Sequence, residues 1–160
     1  MKQEIQDLKE FEELVKSLEY EKCNNKLPIS FDFDGTITEL NNYPFCNTLR
    51  LGVVECINTL FGLGYPIIIH TCRCTGTPTQ NDAFIRMVNF LNTQGIIYTT
   101  INRNAVSFDI NSPHDKPYAV LYIDDATLGF NKSITGYRLF INIIKYIENL
   151  KKKYKNDNCN

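Results

Sequence analysis

An α/β fold, a Rossmann-like three-layer sandwich with a central parallel sheet, is what three features of this sequence predict. Segments of strand and helix character alternate from Leu27 onward. The strand candidates, such as Pro66-Ile67-Ile68-Ile69-His70-Thr71, are nearly continuous apolar runs, as befits strands buried on both faces. Several of these runs end in polar residues, and in parallel α/β sheets the ligand crevice lies beyond the carboxyl ends of the strands.

Residues 1 to about 22 read as a charged amphipathic helix, with Ile5, Leu8, Phe11, Val15 and Leu18 at three- and four-residue steps. This first segment, 1–26, is expected to pack on the outside of the domain. The alternative is a homodimer through this helix, although two or three heptads make a weak coiled coil. Pro28 to Phe33 reads as the first strand, ended by Asp34-Gly35. Residues 46–62 read as a helix with Leu49, Val53, Cys56, Ile57 and Leu60 on one face, stopped by Gly62 and Gly64. Pro66 to Thr71 is the second strand. Residues 81–93 are a helix with Phe84, Ile85, Val88 and Leu91 as its stripe, and Gly95 lies just past its end. Strands at 96–101 and 119–123 follow, then a last helix from about Leu139 to Lys153 and a polar tail over 154–160.

The 160 residues fit one domain, able to bury roughly 70% of its unfolded surface without covalent staples. A net charge of −1 provides no global basic field to recruit nucleic acid or anionic membrane. No apolar run approaches the ~20 residues that span a bilayer, so no membrane partner is expected. The first residues, Met1-Lys2-Gln3-Glu4-Ile5-Gln6-Asp7, are too acidic and polar for a secretory signal. The six cysteines are therefore expected as reduced thiols in a cytoplasmic setting. Cys72-x-Cys74 resembles half a metal clasp, but no second half with zinc-like spacing accompanies it.

The polar residues at the strand ends are Asp32 and Asp34 on the first strand, Thr71 and Arg73 on the second, and Asp124 and Asp125 on the fourth. Four carboxylates in one crevice repel one another and call for a cation. An all-oxygen donor set without His or Cys suits Mg²⁺, which also neutralises phosphoryl oxygens. A carboxylate can attack phosphorus, and a second one two residues on can protonate the leaving oxygen and then activate water. Thr71 can hydrogen-bond a phosphoryl oxygen, and Arg73 or Lys116 can offset its charge. Each residue has a plainer reading. Asp-x-Asp-Gly is common in turns, Asp124-Asp125 can cap a helix, and lysines such as Lys116 usually lie in solvent.

Asp32-Phe33-Asp34-Gly35-Thr36 after an apolar strand resembles the first signature of the haloacid dehalogenase-like hydrolases. Ile67 to Thr71 resembles their second motif, and Ile123-Asp124-Asp125 their acidic fourth motif. Lys116, in His114-Asp115-Lys116-Pro117-Tyr118-Ala119, matches the third-motif lysine, though it lies closer to the acidic pair than in many members. The likeness covers about Ile29 to Phe130, within a hydrolase domain drawn at 27–153. Thr71-Cys72-Arg73, Gly95 to Tyr98 and Ile101-Asn102-Arg103-Asn104 resemble a small capless group of phage and bacterial type.

That resemblance implies Asp32 as nucleophile and Asp34 as general acid/base, with Thr71 and Lys116 binding phosphate. It implies Mg²⁺ held by the Asp32 carboxylate, the Asp34 backbone carbonyl and the pair Asp124 and Asp125. Asp34, rather than Thr or Ser, two residues after the nucleophile fits a phosphomonoesterase. The short span before motif two leaves no room for a large cap domain. An open site admits a nucleotide or nucleic-acid end as well as a phosphorylated small molecule, and Thr71-x-Arg73 resembles a feature of polynucleotide 3′-phosphatase domains. The competing function is a phosphate- or nucleotide-binding module of the same fold without catalysis.

Overall fold

The computed structural model describes residues 1–18, 26–39, 43–46, 48–73, 78–103, 117–127, 130–131 and 133–157, with 80 and 154–157 described by backbone only. The described elements are α1 (Lys2–Ser17), β1 (Ile29–Asp32), a single π turn (Phe33–Ile37), α2 (Val53–Gly62), β2 (Ile67–His70), α3 (Pro78–Thr93), β3 (Thr100–Ile101), β4 (Leu121–Ile123) and α4 (Gly136–Asp157). The four described strands form one sheet in the order β3-β2-β1-β4. Every pairing is parallel, with Asp32 opposite His70 and Phe31 opposite both Ile69 and Ile123. Helices surround this sheet, so the chain has the α/β, Rossmann-like architecture that its alternating pattern implies.

The apolar runs explain the sheet's place at the centre. Ile29, Phe31, Ile67 and Ile69 share one face and join a single core with α2, α3 and α4 residues such as Ile57, Met87 and Phe140. Ser30 and Ile68 alternate to the opposite face and are also fully buried, so both faces of β1 and β2 are dry. Gly136 lets the start of α4 approach α2. A Cβ there would overlap the backbone of Gly52 and Val53, and its N–H donates to the Leu51 carbonyl at 2.6 Å.

The N-terminal helix folds back on its own chain. Phe11 is buried with its ring 5.3 Å from Tyr137 and 5.0 Å from Phe140 of α4. Leu8, Leu14, Val15 and Leu18 pack around the same core. Asp7, a polar residue on the buried side, accepts hydrogen bonds from Thr135 Oγ1 at 2.7 Å and from Arg138 Nη2 at 2.8 Å. Of the stripe read from the sequence, Leu8, Phe11, Val15 and Leu18 pack within the chain, while Ile5 is largely exposed.

Element boundaries shift for local reasons. The helix expected from residue 46 begins at Val53, because Leu49 bridges antiparallel to Thr38 and Gly52 turns the chain with φ +76°. α3 starts at Pro78, whose missing N–H costs nothing in a first turn. The strand expected over 96–101 pairs only at Thr100 and Ile101. The last helix runs from Gly136 through Asp157, since Thr135 Oγ1 caps the Arg138 N–H and the lysine-rich end continues helically past the boundary expected at 153. Among the described residues no helix is long and apolar enough to cross a membrane.

Candidate metal and phosphate site

The carboxyl edge of the sheet gathers three of the four expected carboxylates. Asp32 closes β1, while Asp124 and Asp125 follow β4, its parallel neighbour. One carboxylate oxygen from each lies within 4.8 Å of the other two. Burial pushes the Asp32 carboxyl up to about 7, and the neighbouring charges of Asp124, Asp34 and Asp125 add to the effect. An oxygen-only cluster in which a half-buried carboxylate meets two like charges fits a hard divalent cation such as Mg²⁺.

Local sequence explains how these groups converge. After Asp32 the chain makes the π turn, in which Gly35 adopts φ +83°. A Cβ at Gly35 would lie inside the Asp125 carboxylate, so glycine serves both the left-handed backbone and the approach of Asp125 to β1. Thr38 Oγ1 fastens the turn by accepting from the Gly35 N–H and donating to the Phe33 carbonyl, both at 3.2 Å. Asp124 Oδ1 accepts the Ala126 N–H at 2.8 Å, fixing the loop that leaves β4.

Asp34 does not join the trio. Its carboxylate accepts two parallel hydrogen bonds from Arg73, Nε to Oδ2 at 2.7 Å and Nη2 to Oδ1 at 2.6 Å. Arg73, expected toward phosphate, here turns its guanidinium to Asp34. Its side chain is 1% exposed, and its other N–H groups reach the carbonyls of Pro44 and Phe45 and the Cys46 sulfur. All five guanidinium donors therefore have protein acceptors, leaving none for a phosphoryl oxygen.

Thr71 is buried at the end of β2, and its Oγ1 accepts the Arg73 N–H at 3.1 Å. Asn102, with φ +50°, extends the β2–β3 ladder by one step through its side chain. Its Oδ1 accepts the Thr71 N–H at 2.8 Å, and its Nδ2 donates to the Thr71 carbonyl at 2.7 Å. Lys116, the expected third-motif lysine, lies outside the described residues.

Arg50 and Asn102 carry structural weight at the site that the sequence reading did not assign. The Arg50 guanidinium is buried and donates to the carbonyls of Gly35, Thr36 and Ile134, tying the β1 turn to the chain entering α4. A lone arginine before a helix carries no signal of such a role. The left-handed tendency of Asn after a strand was a usable one for Asn102.

No family model matches this chain, and no curated protein does. Among solved structures it is similar to a conserved protein from Bacteroides thetaiotaomicron, with a TM-score of 0.57 and 23% identity over 76% of this chain and 92% of that one. That likeness is one of fold.

Proposed function

We propose that this chain is a Mg²⁺-dependent phosphomonoesterase of the haloacid dehalogenase-like type, acting in the cytoplasm. The observation that carries this reading is the meeting of Asp32, Asp124 and Asp125 from two adjacent parallel strand ends. Bound there, Mg²⁺ would neutralise the carboxylates and the phosphoryl oxygens, which is the chemistry it supplies. Asp32, Asp124, Asp125 and the Asp34 backbone carbonyl would hold it.

In this reading an Asp32 carboxylate oxygen attacks phosphorus and the P–O bond to the leaving group breaks, giving an aspartyl-phosphate. Asp34 donates a proton to the departing oxygen. It then takes a proton from water, whose oxygen attacks the aspartyl-phosphate and releases inorganic phosphate and free Asp32. Thr71 orients a phosphoryl oxygen, and Lys116 offsets its charge. For Asp34 to act, one of its oxygens turns from Arg73 toward the substrate and takes up a proton from solvent before the first step. The substrate is a nucleotide or nucleic-acid end, or another small phosphomonoester.

One observation favours a second reading, a phosphate- or nucleotide-binding module without catalysis. Both Asp34 oxygens are engaged by Arg73. A panel of nucleoside monophosphates, sugar phosphates and 3′-phosphorylated oligonucleotides, with Mg²⁺ and with Asp32→Asn as the blank, separates the two. Turnover of any member that is lost in the blank supports the enzyme. Binding without turnover supports the module.

A further inference from the structure

His70 stands beside the candidate nucleophile. It ends β2 as Asp32 ends β1, and the two residues are direct partners in the parallel ladder. Such partners lie about 4.8 Å apart across the sheet and project to the same face. That face is the one of Ser30 and Ile68, opposite the core that holds Phe31 and Phe33. On the other flank of Asp32, Asp124 follows Ile123, the partner of Phe31, at the next step of that register. Asp124, Asp32 and His70 therefore form one row across the carboxyl edge, with Asp32 in the middle.

The two ring nitrogens of His70 meet different surroundings. Nδ1 is buried without a hydrogen-bond partner, although the residue as a whole is only half-buried. Nε2 makes no hydrogen bond among the described residues and is open to solvent. A neutral imidazole carries one proton, and a buried N–H without an acceptor is rare because it is costly. The proton therefore belongs on Nε2, where water or a ligand can accept it. An imidazole also reaches further from its Cα than a carboxylate does, so a ring beside Asp32 extends to the height of a group bound on the Asp32 oxygens.

A phosphoryl group at Asp32 needs such a donor. Arg73 directs all five of its N–H groups to protein acceptors, and Arg50 donates to the carbonyls of Gly35, Thr36 and Ile134. The cation cluster among the described residues consists of Asp32, Asp124 and Asp125, so His70 is free of that task. We propose that His70 binds the phosphoryl group held at Asp32, its Nε2–H donating a hydrogen bond to one phosphoryl oxygen. The proposal rests on the phosphatase reading and adds to its site the strand residue before Thr71. A neutral ring and an imidazolium both carry a proton on Nε2, so the contact does not depend on the charge of the ring.

The test uses ¹⁵N-labelled full-length protein, Mg²⁺ and inorganic phosphate as the probe. The chain has two histidines, His70 and His114, so His114→Gln leaves a single ring to follow by long-range proton–nitrogen NMR. In mildly alkaline solution that ring is expected to carry its proton on Nε2. Saturating phosphate with Mg²⁺ is expected to shift the Nε2 resonance well beyond the shift that Mg²⁺ alone produces. Calorimetry supplies a second readout. A glutamine amide can place a donor where Nε2 stood, whereas an asparagine amide reaches only as far as Nδ1. His70→Asn is therefore expected to weaken phosphate binding about tenfold, as for a lost hydrogen bond to a charged group, and His70→Gln by about threefold or less. A melting curve for each variant confirms the fold. A ring protonated on Nδ1, an Nε2 resonance that phosphate leaves in place, equal affinity for the three proteins, or no phosphate binding overturns the proposal. Turnover in the phosphomonoester panel judges the phosphatase reading separately. Where turnover accompanies any of those results, that reading stands and the role of His70 falls.

Discussion

Asp34 and Arg73 are joined by two parallel hydrogen bonds, 2.7 and 2.6 Å long, from a guanidinium that is almost fully buried. The pair links the turn after β1 with the end of β2 and, through the Pro44 and Phe45 carbonyls, with the loop beside the site. Removing one partner of such a pair leaves a buried charge without compensation. Arg73→Gln is therefore expected to destabilise the fold by about 3–5 kcal/mol. Arg73→Lys should recover only part of this, because an ammonium cannot reproduce the fork. Urea unfolding of the three proteins checks the order.

Asp32 makes the metal-free site sensitive to pH. Its folded value is raised from 3.8 to about 7, by burial first and then by Asp124, Asp34 and Asp125. The folded state therefore binds more protons than the unfolded chain between these values. The sign follows: as pH rises from about 4 to about 7, stability falls, and it levels off above. Asp32→Asn removes the penalty and is expected to stabilise metal-free protein at pH 8 by on the order of 3 kcal/mol. Mg²⁺ should raise the melting temperature of the unsubstituted protein and not that of Asp32→Asn. Apparent Mg²⁺ affinity should weaken as pH drops below about 7, since binding must displace a proton.

The π turn depends on the absence of a side chain at Gly35. Gly35→Ala would force a Cβ into the Asp125 carboxylate and strain a left-handed backbone, at a cost of about 1–2 kcal/mol for the conformation alone. The expected outcome is a loss of Mg²⁺ affinity larger than the loss of stability would suggest. Calorimetric Mg²⁺ titration, alongside a melting curve, separates the two.

These dependencies show what the sequence carries and what it hides. Runs such as Ile67-Ile68-Ile69 made the sheet legible because a strand buried on both faces must be apolar at every position. The Asp32 and Asp124-Asp125 cluster was legible because parallel strands deliver their carboxyl ends to one edge. Arg73 was misread. Nothing in Thr71-x-Arg73 reveals whether a guanidinium meets a phosphate or a carboxylate, and the choice is made by Asp34, 39 residues earlier in the chain. Arg50 escaped for the same reason, since its acceptors are backbone carbonyls that carry no sequence signature.

The N-terminal helix supplies a prediction away from the site. Burial raises the Asp7 carboxyl, but hydrogen bonds from Gln3, Thr135 and Arg138, with the Arg138 charge, outweigh it and hold the group below its ordinary 3.8. Its contribution to stability is complete above the unfolded value and disappears as pH falls through the lowered folded one. Acid titration of stability should therefore be steeper for the unsubstituted protein than for Asp7→Asn below about pH 4. Removal of residues 1–18 should expose Tyr137 and Phe140 and lower stability without changing the Asp32–Asp124–Asp125 cluster.

Attack of Asp32 on phosphorus would leave a covalent intermediate that can be trapped. Protein quenched in acid during turnover with Mg²⁺ and the best substrate of the panel can be digested and read by mass spectrometry. A phosphoryl adduct is expected on the peptide carrying Asp32, absent without Mg²⁺ and absent in Asp32→Asn. Turnover with no adduct on that peptide, or turnover that persists in Asp32→Asn, would contradict it.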